Sequence, residues 1–544
     1  MSTGRSSGAD PAARRGRAAG LAVVVAALAA VVVFPLFDLL RSAGEAIGDG
    51  GVAALRSGGG EAVANSLWTS ATATTVAVVV GVGGALLSER VGGRFTGALR
   101  VGMVLPLLVP PFVTALGWTR AYGPGGLLDD VAGVTLPGLS GGLGIVAATA
   151  AHVAPLVYLV TAAALSTRAR PELEWAARAS GAGPVGAFRR VTLPLLAPAI
   201  GGGAALAFVA SMNSFGIPAV LGIPAGFPTI TTRIFQDLAR SASNAAFARV
   251  VLLATVLLAL VAVVVAATDV ATRRADPIRP GASHEPARPP ASRAPWARGL
   301  AWAYLAFTAG IPVLALALTG LTRAVGLPPS PDNWTLANYA EALRGDFVGP
   351  ALRTLLLAAA AATAATALGL LLAAVSRRGA SRGLATAATL TFAVPGSALA
   401  VAVLLAYGPW LRDTLTIILI AYLAKFWALG HRSAVGSIGS IDPDLLRAAR
   451  ASGAGPVTAA RRVLLPLLRP AIGAAWLLVF LFGLHELTMS SLLYGPGTAT
   501  LAVVTLNVQQ LGDVTVTAAL ASILTLPGFV AAIPLLRRRN GRFG

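Results

Sequence analysis

"PELEWAARASGAGPVGAFRRVTLPLLAPAI" (residues 171–200) is answered by "PDLLRAARASGAGPVTAARRVLLPLLRPAI" (residues 443–472) in the second half of the chain. The two stretches lie 272 residues apart, half the length of 544, so one unit is written twice. Each copy reads as a short helix, a glycine break, a second short helix and a return to an apolar run. Pro171 and Pro443 suit the first helical position, and Asp442 is a good N-cap. Glu172 and Asp444 fall in the first turn, where the helix dipole favours anions. Gly181/Gly183 and Gly453/Gly455 suit the left-handed backbone that ends a helix, and Pro184 and Pro456 suit the start of the next. Arg189-Arg190 and Arg461-Arg462 hold the segment at a membrane surface, and Pro194 and Pro466 are expected to mark the turn back into lipid. A plain duplicated loop accounts for the repeat, but not for its being among the best-matched parts of the two halves. Small residues (Ala176, Ala177, Ala448, Ala449) followed by glycine give a smooth knob that another protein's groove could grip.

The surroundings of this phrase are apolar. Hydrophobic residues make up 56% of the chain and charged residues 12%, against about 25% charged in soluble domains. Runs of about 20 apolar residues recur throughout, each long enough to cross a bilayer as a helix. The formal net charge of +20 comes from arginines clustered between those runs, the pattern of cytoplasmic loops. With no basic stripe interleaved with aromatics, nucleic-acid binding is rejected. The absence of cysteine excludes disulfides, thiolate metal sites and cysteine nucleophiles. Arg14, Arg15 and Arg17 ahead of Leu21–Phe34 resemble a secretory signal, but the apolar stretch reaches Leu40 and reads as an uncleaved first span.

The expected fold is an all-α polytopic membrane protein of about twelve transmembrane helices, arranged as two parallel six-span repeats. Candidate spans in the first half cover roughly 20–40, 66–88, 99–119, 143–166, 197–221 and 249–268. In the second half they cover roughly 299–320, 352–375, 385–408, 414–436, 471–493 and 516–536. The expected domains are a cytoplasmic tail (1–19), a first repeat (20–271), a Pro/Arg-rich cytoplasmic linker (272–297), a second repeat (298–536) and a short cytoplasmic tail (537–544). An even number of spans per half makes the repeat parallel rather than inverted and puts both termini on one face. The arginine clusters assign that face to the cytoplasm of a bacterial plasma membrane.

At the repeated phrase the chain resembles a known family. Ala176-Ala177, Gly181 and Val191-Thr192-Leu193-Pro194, matched by Ala448-Ala449, Gly453 and Val463-Leu464-Leu465-Pro466, are similar to the EAA motif of binding-protein-dependent ABC importer permeases. In that family the motif is a coupling helix seated in a cleft of the ATP-binding subunit. The resemblance therefore implies two copies of such a subunit inside, an extracytoplasmic solute-binding protein outside, and a coupling role for Glu174, Ala176, Ala177, Gly181, Ala448, Ala449 and Gly453. The motif's leading acid is replaced by Trp175 in one copy and Arg447 in the other, and Glu174 stands beside the first. The fused layout resembles ferric iron permeases, and thiamine permeases less closely. The segments "SFGIPAVLGIPAGFPTITTRIF" (214–235) and "ELTMSSLLYGPGTATLAVVTLNVQQ" (486–510) lean toward iron.

A Walker A loop needs Gly-Lys-Ser/Thr, and the lone lysine, Lys425, follows Ala424. The chain is thus expected to hold no cofactor and to carry out no catalysis itself, ATP and Mg being bound by the partner. The 272-residue shift sets His485-Glu486 against Asn213-Ser214, late in the fifth span of each half. Polar groups at membrane depth are costly and face a cavity or a partner. Asn213, Ser214, His485, Glu486 and Thr488 are therefore candidates for the substrate pathway, approaching one axis in a parallel pseudo-dimer. The alternative reading places Glu486 at the membrane–water interface, where an acid costs little. His152 reads as a packed histidine hydrogen-bonded inside the bundle, Lys425 and His431 as snorkelling near the end of span ten, and His284 as solvated in the linker. No His/Asp/Glu cluster has metal-ligand spacing. A proton- or sodium-driven transporter is the rival class, disfavoured by two docking-type loops and few intramembrane acids. A structural or receptor membrane protein leaves the repeated phrase unexplained.

Overall fold

The computed structural model describes residues 11–48, 51–90, 95–167, 171–240, 243–274, 295–326, 330–375, 391–439 and 441–540. Among these, ten helices are long and apolar enough to span a membrane, and eleven if the pair Leu99–Leu108 and Pro111–Ala132, bent by 103°, is one span. They fall one for one on the expected spans. The ninth expected span lies partly outside the described residues, and what is described of it is the 16-residue helix Gly396–Leu411. The linker residues 275–294, with His284, also lie outside them.

Proline placement explains much of the local geometry. The described π-helical turns are Ala29–Val33, Phe188–Thr192, Ala306–Gly310 and Ala460–Leu464, and each is followed two residues later by a proline: Pro35, Pro194, Pro312 and Pro466. A proline inside a helix has no N–H and its ring collides with the carbonyl four residues back. Widening one turn to i→i+5 bonding moves that carbonyl aside and lets the helix continue. Pro194 and Pro466 consequently do not mark a turn back into lipid. Pro184–Met212 passes straight through Pro194 as a single 29-residue span.

A π turn leaves carbonyls without a helical partner, and in lipid these need another donor. The chain divides into two compact units, Met1–Glu45 with Gly349–Leu501, and Ala46–Val348 with Ala502–Gly544. In the first, the Tyr407 hydroxyl donates to the Ala30 carbonyl at 2.7 Å, and Phe34 packs edge-on against Tyr407. In the second, the Tyr122 hydroxyl donates to the Phe307 carbonyl, while Trp118 Nε1 donates to that of Thr308, which Pro312 has freed. The leading span of each sequence half is thus fastened to an aromatic residue encoded in the other half. The compact units partition the chain differently from the sequence repeat.

Within the second unit, Gly59–Arg90 lies along Gly142–Thr167 and Leu193–Met212. Ala77, Val153, Ala154, Val157 and Ala207 are buried between them. A Cβ on Gly81 would come within 2.8 Å of the Ala154 carbonyl, so this crossing requires glycine. Small residues at helix crossings are how membrane helices gain packing energy in the absence of a hydrophobic driving force.

Candidate functional site

The repeated phrase folds as the sequence suggests as far as Pro194 and Pro466. Pro171–Ala179 and Pro443–Ala451 are nine-residue helices. The first closes in a Schellman motif, with Ala182 N–H bonding the Ala177 carbonyl and Gly181 N–H that of Arg178, both at 3.0 Å. In the second, Ala454 N–H bonds the Ala449 carbonyl at 3.0 Å. Gly181 and Gly453 carry φ of 90° and 82°. Gly183, with φ of −65°, does not. Asp442 caps the second helix through Asp444 N–H at 2.9 Å.

Glu174 turns inward on the loop. It accepts a hydrogen bond from the Thr192 hydroxyl, bracing the nine-residue helix against the π turn that leads into the membrane. In the second copy the same positions are Leu446 and Leu464, so acid and hydroxyl have been exchanged together for a pair of leucines. The helix surfaces around the small residues are apolar and exposed: Leu173, Trp175 (46%) and Val185 (70%) in the first copy, Leu445 in the second. Arg447 forms a 2.6 Å pair with Asp444, both well exposed, a geometry of little energetic weight.

The polar pairs expected at the end of the fifth and eleventh spans terminate them. Leu193–Met212 stops at Asn213 and resumes as Gly216–Leu221, and Leu465–Leu484 stops at His485 and resumes as Thr488–Leu493. These spans therefore end at 212 and 484, short of the expected 221 and 493. Asn213 and Ser214 belong to one compact unit, His485, Glu486 and Thr488 to the other.

Glu486 is fixed by the short helix that follows it. Its carboxylate accepts from Met489 N–H at 2.9 and 3.0 Å, from Ser490 N–H at 3.0 Å and from the Ser490 hydroxyl at 3.1 Å. A carboxylate at a helix start is stabilised by unpaired N–H groups and by the dipole. The Ser490 hydroxyl also lies 2.8 Å from that of Tyr422. Three residues beyond Tyr422, Lys425 sits at the middle of Leu415–Gly436, attracted electrostatically by Glu486. It donates to the carbonyls of Phe392, at 3.1 Å, and Val394, just ahead of Pro395. Lys425 therefore does not snorkel. It supplies donors to backbone freed at a helix break. His431, 3% exposed and bonded to the Gly369 backbone, does not snorkel either.

The first half repeats this design with smaller groups. With a 273-residue shift, Thr149 and His152 stand where Tyr422 and Lys425 stand. His152 hydrogen-bonds the Pro106 carbonyl in the broken third span, the packed role its sequence context suggests. Thr149, Ser214 and Pro218, equivalent to Tyr422, Glu486 and Ser490, line a cavity. The network of the second copy escaped sequence reasoning because spans four and ten align at 273 rather than 272. A mid-span position for the lone lysine was the signal available.

Comparison with known proteins agrees with this architecture. The profile of "Binding-protein-dependent transport system inner membrane component" matches residues 73–277 and 365–537, one copy in each half. The chain belongs to that family. It is a multi-pass inner-membrane permease subunit. The ferric transport system permease protein FbpB of Actinobacillus pleuropneumoniae is 27% identical over 483 residues, covering 85% of this chain and 69% of that protein. A putative ferric transport system permease protein, FbpB 1, of Haemophilus influenzae is 26% identical, covering 79% and 70%. The molybdenum transport system permease protein ModB of Mycobacterium tuberculosis is 35% identical over 154 residues, 28% of this chain and 57% of that protein.

Proposed function

We propose that this permease translocates Fe(III) delivered by an extracytoplasmic binding protein, driven by a separate ATP-binding subunit present in two copies. The observation that carries the substrate is the extent of likeness. Ferric permeases align across about four fifths of the chain, through both halves, whereas the molybdenum permease aligns over little more than a quarter. ATP and Mg would be bound by the partner subunit, and this chain would contribute transport without catalysis of its own.

The two EAA-like loops are the proposed coupling elements. Ala176, Ala177, Ala448 and Ala449 with Gly181 and Gly453 form the knobs, and the exposed Leu173, Trp175 and Val185 supply apolar contact. Glu174 serves from within the loop, as a brace. Both termini and the linker would face the cytoplasm. Along the route, the breaks offer Asn213 and Ser214 in one copy and His485, Glu486 and Thr488 in the other. The Glu486 carboxylate provides hard oxygen donors suited to Fe(III), and its hydrogen bonds hold it in place.

The test is reconstitution of the chain with its ATP-binding subunit and binding protein in liposomes. Binding protein loaded with Fe(III) should stimulate hydrolysis and iron accumulation. Stimulation by a molybdate- or polyamine-loaded protein, with none by iron, would overturn the substrate.

A further inference from the structure

The cavity beneath the break in the first half is a second polar site in the molecule, chemically unlike its counterpart. Its lining includes Thr69, Thr149, Ser211, Ser214 and Thr231, and no lining side chain is ionisable within the ordinary pH range. There is room for about one water-sized guest. Three of these hydroxyls have already committed their protons: Thr69 to the Asn65 carbonyl at 2.6 Å, Ser211 to that of Ala207 at 2.8 Å, and Thr231 to that of Ser214 at 2.8 Å. What they retain is lone pairs. Thr149, 3% exposed, and Ser214 have buried hydroxyl oxygens with no hydrogen-bond partner among the described residues, as has the Asn213 amide oxygen at the same helix end.

This is an acceptor-rich pocket. Thr69, Ser211 and Thr231 can offer a guest only lone pairs, and the Thr149 and Ser214 hydroxyls can rotate to offer theirs, so a small cation would find several neutral oxygens. The helix Leu193–Met212 also ends here, presenting the negative end of its dipole. Interrupted membrane helices are where neutral oxygens hold alkali cations in other transport folds. In the second half the equivalent positions carry Tyr422 and Glu486, and both of these bond the Ser490 hydroxyl instead of being left without a partner.

We propose that Thr149, Ser214 and their neighbouring hydroxyls bind one monovalent cation of sodium size at the break of the fifth span. Bound there, it would tie Gly142–Thr167 to the interrupted helix, the task that Tyr422 and Ser490 perform in the second copy.

Purified full-length protein in nanodiscs is the material for the test. Thermal unfolding is followed in NaCl, KCl and choline chloride at constant ionic strength, beside equilibrium binding of radioactive Na⁺. A saturable rise of about 2 °C specific to Na⁺, with near one-to-one binding, is expected. T149V/S214A should abolish both. Because that variant could fail to fold, Na⁺ binding to the wild type is decisive by itself. Identical unfolding in the three salts with no bound Na⁺ would overturn the proposal and leave water as the guest. Na⁺ stabilisation that persists in folded T149V/S214A would overturn the placement.

Discussion

The hydroxyl of Tyr422 lies 2.8 Å from that of Ser490, which in turn donates to Glu486 at 3.1 Å. The chain runs Tyr422 to Ser490 to Glu486, and both hydroxyl residues are buried. Tyr422→Phe removes only the outer donor and leaves the ring in place. It should lower stability by about 1 kcal/mol, the net worth of one such bond. Thermal unfolding checks this, and Y422F/S490A should cost no more than S490A alone.

Glu486→Gln keeps the shape of the cap but presents one amide NH₂ among N–H and O–H donors. Charge-assisted bonds are stronger than neutral ones, so a loss of about 1–2 kcal/mol is expected. If Glu486 also lines the iron route, E486Q should reduce uptake per folded molecule. Full uptake with lowered unfolding temperature would confine Glu486 to helix capping.

Gly181 and Gly453 have left-handed backbones, yet an added Cβ would meet nothing within 4 Å. Substitution with valine is therefore opposed by strain rather than by collision, at about 1–2 kcal/mol. G181V and G453V should reach the membrane in normal amount and lose binding-protein stimulation of ATP hydrolysis. Gly183→Ala, at φ of −65° and equally uncrowded, should leave coupling unchanged.

Glu174 and Thr192 form a bonded pair where the second copy has two leucines. E174L alone strands the Thr192 hydroxyl and should weaken coupling. E174L/T192L copies the other half and should recover most of that loss. A double-mutant cycle on stimulated ATPase activity measures the recovery. No recovery would mean that the acid acts toward the partner subunit.

Single cysteines at residues 285 and 455 of this cysteine-free chain should react with an impermeant thiol reagent only from the cytoplasmic side. Labelling from outside at either position would reverse the assigned topology.

The sequence by itself determined the class, the doubled plan, the approximate spans and the glycine-broken helix pair of each repeated loop. Each rests on local or periodic properties: apolar run length, arginine clusters, and glycine and proline at fixed offsets. The break residues were legible too, because Asn213-Ser214 and His485-Glu486 interrupt apolar helices at matched positions. Only the tertiary structure decided what those residues touch. Helix continuity through Pro194 depends on a π turn, and the carbonyls such turns release find donors far away in sequence, as Ala30 does in Tyr407. Lys425 reads as a snorkelling cation in the sequence, whereas in the fold its ammonium bonds carbonyls of another broken span. The contrast between Glu486, capped and bonded, and Ser214, beside a cavity, was likewise decided by folding. Partners are set by which helices pack together, and a one-residue difference in repeat offset is enough to hide that in the linear chain.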